Sequence, residues 1–249
     1  MFEISYTTIL NIFWRYLSLI INYMYKITLS IFLLFSCFKN DLSSSDNDKI
    51  NLKKLIVNSE FALEKISNTE DLTNFPDYLK NSKAILIFPE LYEGGLFFGA
   101  KGGNGILLIK KKDNWSGPFF YTMGGLSVGL QVGIKSGTMV MTIMSNRGLK
   151  SIIKERVKFG VDVDVAVVNE GVGFSAESTL RLADIFSFSD NNGLFLGSSL
   201  EGSYLQPRND YNKKLHKESL KSDDIINNDF ITKSSKRFSK LINDILLSK

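Results

Sequence analysis

Between Gly117 and Gly133 an aromatic run, Phe119-Phe120-Tyr121, leads into Gly124-Gly125, after which Leu126, Val128, Leu130 and Val132 alternate with small or polar residues. Alternation with a period of two is the signature of a strand. Glycine inside a strand weakens it and marks a place where another backbone or a ligand approaches closely. The segment therefore predicts a strand broken at Gly124-Gly125, in a closely approached sheet, with Gly124, Gly125, Gly129 and Gly133 as structural positions. The same period predicts strands at 84–88, 95–101, 104–110, 118–133, 138–144, 159–168, 177–188 and 193–201, separated mostly by Gly- or Asn-containing turns, an antiparallel pattern. Lys101-Gly102-Gly103-Asn104-Gly105 is expected to be a hairpin turn, because consecutive positions tolerant of positive φ suit the twist of paired strands.

Helical spacing frames this sheet. Leu52, Leu55, Ile56, Ala62, Leu63 and Ile66 recur at three- and four-residue intervals between charged residues and predict an amphipathic helix. A short helix is expected from about Pro76, and a turn with a short helix over 145–154. Beyond Pro207 the chain becomes charged and helical, ending in Phe238, Leu241, Ile242 and Ile245. The fold class is α+β: an antiparallel, Gly-rich twisted sheet or partly closed barrel flanked by N- and C-terminal helices. With 249 residues and 44% hydrophobic content, one core-bearing domain is expected.

The single cysteine, Cys37, follows a continuous short run of apolar and small hydroxyl residues, Ile27 to Phe35, preceded by Lys26. That run is too short to cross a bilayer as a helix and reads as the h-region of a signal peptide. Leu34-Phe35-Ser36-Cys37 resembles a bacterial lipobox, with the bulky Phe35 a departure from the usual pattern. The resemblance implies cleavage before Cys37 and a diacylglyceryl thioether on its sulfur. A buried core cysteine and a plain signal anchor are the alternatives. Translation from Met24 instead of Met1 would leave a compact signal. The expected organisation is a signal peptide over 1–36, a polar lipidated tether over 37–49, a folded domain over 50–216 and a charged, amphipathic helical segment over 217–249.

Several separate motifs, in order, carry a family resemblance: Ala84-Ile85-Leu86-Ile87-Phe88-Pro89, Gly94-Gly95 with Gly99, Trp115-Ser116 and the 117–133 run. They continue through Asn146-Arg147-Gly148-Leu149, Lys158-Phe159-Gly160-Val161-Asp162, Phe186-Ser187-Phe188-Ser189, Gly193-Leu194-Phe195 and Ser199-Leu200-Glu201-Gly202. Most of residues 50–216 thus resembles the SYLF family of lipid-binding domains. The resemblance implies lipid binding without catalysis. Eukaryotic relatives bind phosphoinositides, and some bind actin filaments; the actin function does not carry over to an exported domain.

Other chemistries are weaker. Gly125-Leu126-Ser127-Val128-Gly129 satisfies G-x-S-x-G, and Ser127, then Asp162 or Asp184, then the sole histidine, His216, follow the order of a hydrolase triad. A nucleophile elbow needs a helix after the serine, whereas the alternation after Ser127 predicts a strand. A serine hydrolase is the remote alternative, and no catalytic residue is assigned. The glycines match neither G-x-G-x-x-G nor P-loop spacing, so neither nucleotide nor cofactor is expected. Asp162 and Asp164 are expected on one strand face, opposite Val161, Val163, Val165 and Val167, with Glu170 and Glu177 nearby. They lack the ligand spacing of a calcium loop, and no metal is assigned.

Basic residues form the candidate site. Arg147, Lys150, Lys154, Arg156 and Lys158 fall within a dozen residues at a strand-to-helix transition, and Lys110, Lys111 and Lys112 close an earlier strand. Each basic residue near an anionic surface contributes about 1 kcal/mol of attraction. The net charge of +4 is modest, and no nucleic-acid signature accompanies it. The expected partner is anionic membrane lipid, with the protein exported and held by its N-terminal lipid at the periplasmic face or cell surface. A cell-envelope scaffold that docks another protein is the alternative.

Overall fold

In a computed structural model, residues 14–19, 22, 44–95, 98–112, 114–128, 133–168, 183–190, 200 and 202–248 are described. The chain divides into Met1–Asn47, within which residues 14–19 are helical, and Asp48–Lys249. Cys37 and the apolar run before it lie outside the described residues. Among those described, no helix is long and apolar enough to cross a membrane.

Helix α1 (Ser44–Ser67) begins within the expected tether, and a 3-10 turn (Glu70–Leu72) leads to α2 (Phe75–Asn81), which has proline in its first turn. Four long strands follow: β1 (Ala84–Gly95), β2 (Phe98–Lys110), β3 (Trp115–Val128) and β4 (Gly133–Ile143). Next come α3 (Asn146–Ile152), β5 (Val157–Lys158), β6 (Val165–Val167), β7 (Ile185–Ser189) and β8 (Tyr204–Pro207). Helices α4 (Asn209–His216), α5 (Ser222–Asn227) and α6 (Lys233–Leu247) complete the chain. The strands form one eight-stranded sheet in the order β5-β8-β3-β2-β1-β4-β7-β6. Every pairing is antiparallel except β6 with β7.

The sheet is a curled half-barrel, and chain length shows why. The two edge strands, β5 and β6, are joined by residues 159–164 alone. An eight-stranded flat sheet would hold its edges about 34 Å apart, while the seven steps from Lys158 to Val165 reach at most about 25 Å. The link is shorter still, because the Asp162 N–H donates to Lys158 O at 2.9 Å and the Gly160 N–H to Val163 O at 3.0 Å.

Core forms on both faces. On one, Leu86, Phe88, Leu107, Phe119, Tyr121, Met139 and Met141 pack with Ile152 and Ile153 around α3 and with Val157 and Leu205 of the short strands. On the other, Ile85, Ile87, Ile106, Leu108, Phe120, Val140 and Phe188 meet Leu63 and Ile66 of α1, Phe75 and Tyr78 of α2, and Phe238 and Ile242 of α6. Helix α3 is N-capped by Ser145, whose hydroxyl accepts from the Gly148 N–H at 2.8 Å, and α6 by a Thr232–Ser235 capping box.

Three sequence expectations are corrected. Lys101–Gly105 is no turn but the middle of β2, paired with β1 through Gly102↔Tyr92 and with β3 through Gly103↔Met123. Its glycines answer a steric demand. A register shift in β1 between Ile87 and Tyr92 presses that strand onto β2, so a Cβ on Gly103 would come within 2.4 Å of Glu90 O and one on Gly105 within 2.5 Å of Ile87 O. Likewise β3 runs unbroken through Gly124-Gly125, which pair with Gly102 and Lys101. Of the expected strand 159–168 only Val165–Val167 is strand: β5 ends at Lys158 and a tight turn follows, in which Gly160 has φ +78°, Val161 is exposed and Val163 is buried. Asp162 and Asp164 consequently do not share a strand face. The strand β8 lies outside every strand that the alternation predicts, and 177–182 and 193–199 lie outside the described residues.

Candidate functional site

One cross-strand row assembles the site: Lys158 on β5, Tyr204 on β8, Gly124 on β3 and Gly102 on β2 are successive partners. Strand β8 ends its pairing with β3 at Gly124, so Gly125 and Leu126 run past it. A cavity of about 730 Å3 opens there, lined by Lys101, Gly124, Gly125, Leu126, Arg156, Lys158, Asp162 and Tyr204 among others.

Its cations are positioned in different ways. The Arg156 guanidinium lies 4.4 Å from the centre of the Tyr204 ring, a cation–π contact that fixes an otherwise exposed side chain. Lys158 is exposed, and its backbone N–H donates to Asp162 Oδ2 at 2.7 Å, which turns the one carboxylate of the lining toward the backbone. Lys101 is buried. Burial pushes its ammonium below the ordinary lysine range, and Glu93, its partner across β1 and β2, partly offsets this. Glu93 is itself buried, and its Oε1 has no hydrogen-bond partner. Room for Lys101 comes from Gly125: a Cβ there would stand 3.0 Å from both Lys101 Cε and Ser203 Oγ.

The structure divides the basic residues that the sequence groups together. Arg156 and Lys158 reach the cavity. Arg147 does not: its guanidinium forms ion pairs with Asp184 at 2.5 Å and Asp164 at 3.2 Å, and Asp184, buried, also takes the Ser145 hydroxyl. Lys150 and Lys154 are exposed around α3 outside the cavity lining. Lys110 donates to Lys80 O at 2.6 Å, and Lys111 donates to Ile226 O at 2.7 Å and pairs with Asp229 at 3.2 Å; Lys112 is exposed beside them. Nine residues of β2 separate Lys110 from Lys101, about 30 Å of strand. Lys101 gives no sign of this role in the sequence, because the glycines after it predict a turn. Counting back by twos from the buried Ile109 and Leu107 places it on the same sheet face.

Of the four structural glycines, Gly124 and Gly125 stand at close approaches, Gly133 pairs with Gly95, and Gly129 lies outside the described residues. The hydrolase constellation is not assembled. Ser127 sits within β3, paired with Gly99. The His216 Nε2 bonds to Pro118 O at 3.0 Å, and the ring stacks on Phe119. Pro118 and Ser127 are nine residues apart on the same strand, about 30 Å. Asp184 is held by Arg147, and Asp162 by the Lys158 N–H.

A family profile described as Ysc84, Las17-binding protein actin regulator, matches residues 124–245. LAS seventeen-binding protein 3 of Saccharomyces cerevisiae is 33% identical over 147 residues, covering 57% of this chain and 32% of the yeast protein. The SH3 domain-containing YSC84-like protein 1 of Homo sapiens is 31% identical over 151 residues, 59% of this chain and 44% of that protein. An SH3 domain-containing protein of Schizosaccharomyces pombe is 32% identical over 147 residues, with 57% and 34% covered. The chain thus spans less than half the length of these relatives. The motifs and these similarities agree: the chain carries a domain of the SYLF (Ysc84) family.

Proposed function

We propose that this domain is a non-catalytic binder of anionic phospholipid headgroups, carried by a lipoprotein tethered through Cys37 at the periplasmic face or cell surface. The observation that carries the lipid reading is the cavity whose lining brings Lys101, Arg156 and Lys158 together with a single carboxylate, Asp162, which accepts a backbone N–H. Three cations over glycine-lined backbone suit a phosphate group, which accepts several charge-assisted hydrogen bonds at once. The test is flotation with anionic vesicles of the 38–249 fragment, which lacks both the anchor and the apolar signal run and contains the whole compact unit Asp48–Lys249. The double reversal Arg156→Glu/Lys158→Glu should abolish binding with circular dichroism unchanged, and salt should weaken the parent in the same way. Undiminished binding by the double reversal would remove the cavity from the lipid site.

A second reading is favoured by the relatives' names, which describe binding of another protein, Las17. On that reading the domain is an envelope scaffold and lipid contact comes only from the anchor. A 38–249 fragment that ignores anionic vesicles at low salt would favour it.

A further inference from the structure

Leu126, Ala100, Gly94 and Ile134 are successive cross-strand partners on β3, β2, β1 and β4. Directly opposed residues share one face of a sheet. Leu126 and Ile134 are each 83% exposed, and only the short Ala100 and Gly94 stand between them. Three strand spacings put the two aliphatic side chains about 14 Å apart. In the adjoining row Tyr92, on the same face, is 47% exposed. Single exposed apolar residues are ordinary, but apolar side chains aligned along one end of a sheet mark a contact surface.

The charge around this row selects the partner. Lys158, in one row with Tyr204 and Gly124, is exposed on the face of Leu126, and Leu126 lines the same cavity as Arg156 and Lys158; Lys135 is exposed on the opposite face, paired with Glu93. Of the acids nearby, Glu93 is buried beside Lys101, Asp162 caps the Lys158 N–H, and the exposed Glu90 is hydrogen-bonded to Tyr92. A second copy of this chain meeting the row would bring the same cations against these. A surface negative at its rim and apolar beneath it satisfies both features.

We infer that this end of the sheet docks into an anionic bilayer, Leu126 and Ile134 entering the lipid interface while the neighbouring cavity takes headgroups. The inference rests on the lipid reading above and assigns its mode: insertion of a sheet end.

Because Cys37 is the chain's sole cysteine, the 38–249 fragment accepts one label at a chosen place. Leu126→Cys, Ile134→Cys and, at the far end of the sheet, Lys112→Cys would each carry a polarity-sensitive fluorophore. They would be mixed with phosphatidylcholine–phosphatidylglycerol vesicles holding spin-labelled lipid. The first two labels should shift to the blue and be quenched, the third should do neither. Leu126→Ser/Ile134→Ser should weaken vesicle partitioning by about tenfold or more, with the loss persisting in high salt because the lost contribution is apolar. Flotation with unquenched labels at 126 and 134 would overturn insertion and leave headgroup binding intact. No flotation at all overturns both, and a blue shift without vesicles that grows with protein concentration would identify a second copy as the occupant.

Discussion

The Tyr204 ring lies over the bare Cα of Gly124, where a Cβ would fall 2.6 Å from the phenol oxygen. That ring is the platform for Arg156, so the absence of one methyl on β3 decides where a cation stands on the loop after α3. Gly124→Ala should displace a swinging side chain at modest cost in stability and weaken vesicle binding. Gly103→Ala should instead drive into the Glu90 backbone and cost about 1–3 kcal/mol or more. Thermal melts and flotation of the two variants separate the roles.

Arg147 should behave as a structural residue. Removing its guanidinium leaves the buried Asp184 carboxylate with the Ser145 hydroxyl as its remaining side-chain hydrogen-bond partner, a loss of about 1–3 kcal/mol. Arg147→Ala should therefore lower the urea midpoint, while Lys150→Ala and Lys154→Ala should not. Equal midpoints for all three would mean that the ion pair contributes nothing.

His216 should make stability pH-dependent. Burial lowers its folded-state pKa, and the bond to Pro118 O and the charge of Glu218 oppose this only in part. The unfolded chain then binds the proton more readily, so the contribution is complete above the unfolded value of about 6.5 and is lost as pH falls below it. Urea midpoints between pH 8 and pH 5 should fall more steeply for the parent than for His216→Gln. Parallel curves would contradict the assignment.

Lipidation at Cys37 should be visible as palmitate labelling and a mass shift, both absent from Cys37→Ala. Two or more acyl chains, at about 0.8 kcal/mol per buried CH2, hold the protein in a membrane without help from the fold. Equal labelling of the variant would refute the anchor.

The helices and the α+β class were readable in the sequence because Leu52, Ile56, Leu63 and Ile66 repeat at the helical period and β1 to β4 alternate at two. What misled was glycine. Gly102, Gly103 and Gly105 look like a turn, yet they are glycine because a neighbouring strand with a register shift lies where their side chains would be, a fact of tertiary packing with no local trace. The basic residues were read as one cluster because they are close along the chain. Arg147 is neutralised by Asp184, which is 37 positions away, and the buried cation of the cavity, Lys101, comes from a different strand.

The order of the sheet also sets an order of birth. Strands β1 to β4 emerge from the ribosome in succession, but the outer edge of β3 finds its partner only when Tyr204–Pro207 arrives, and the Trp115 N–H meets the Ser239 hydroxyl later still. Until then the nascent domain presents an unpaired edge beside unburied aromatic side chains, the form most exposed to mispairing with other chains. Loss of the last few dozen residues should therefore be felt as aggregation during synthesis, before any question of what the finished domain binds.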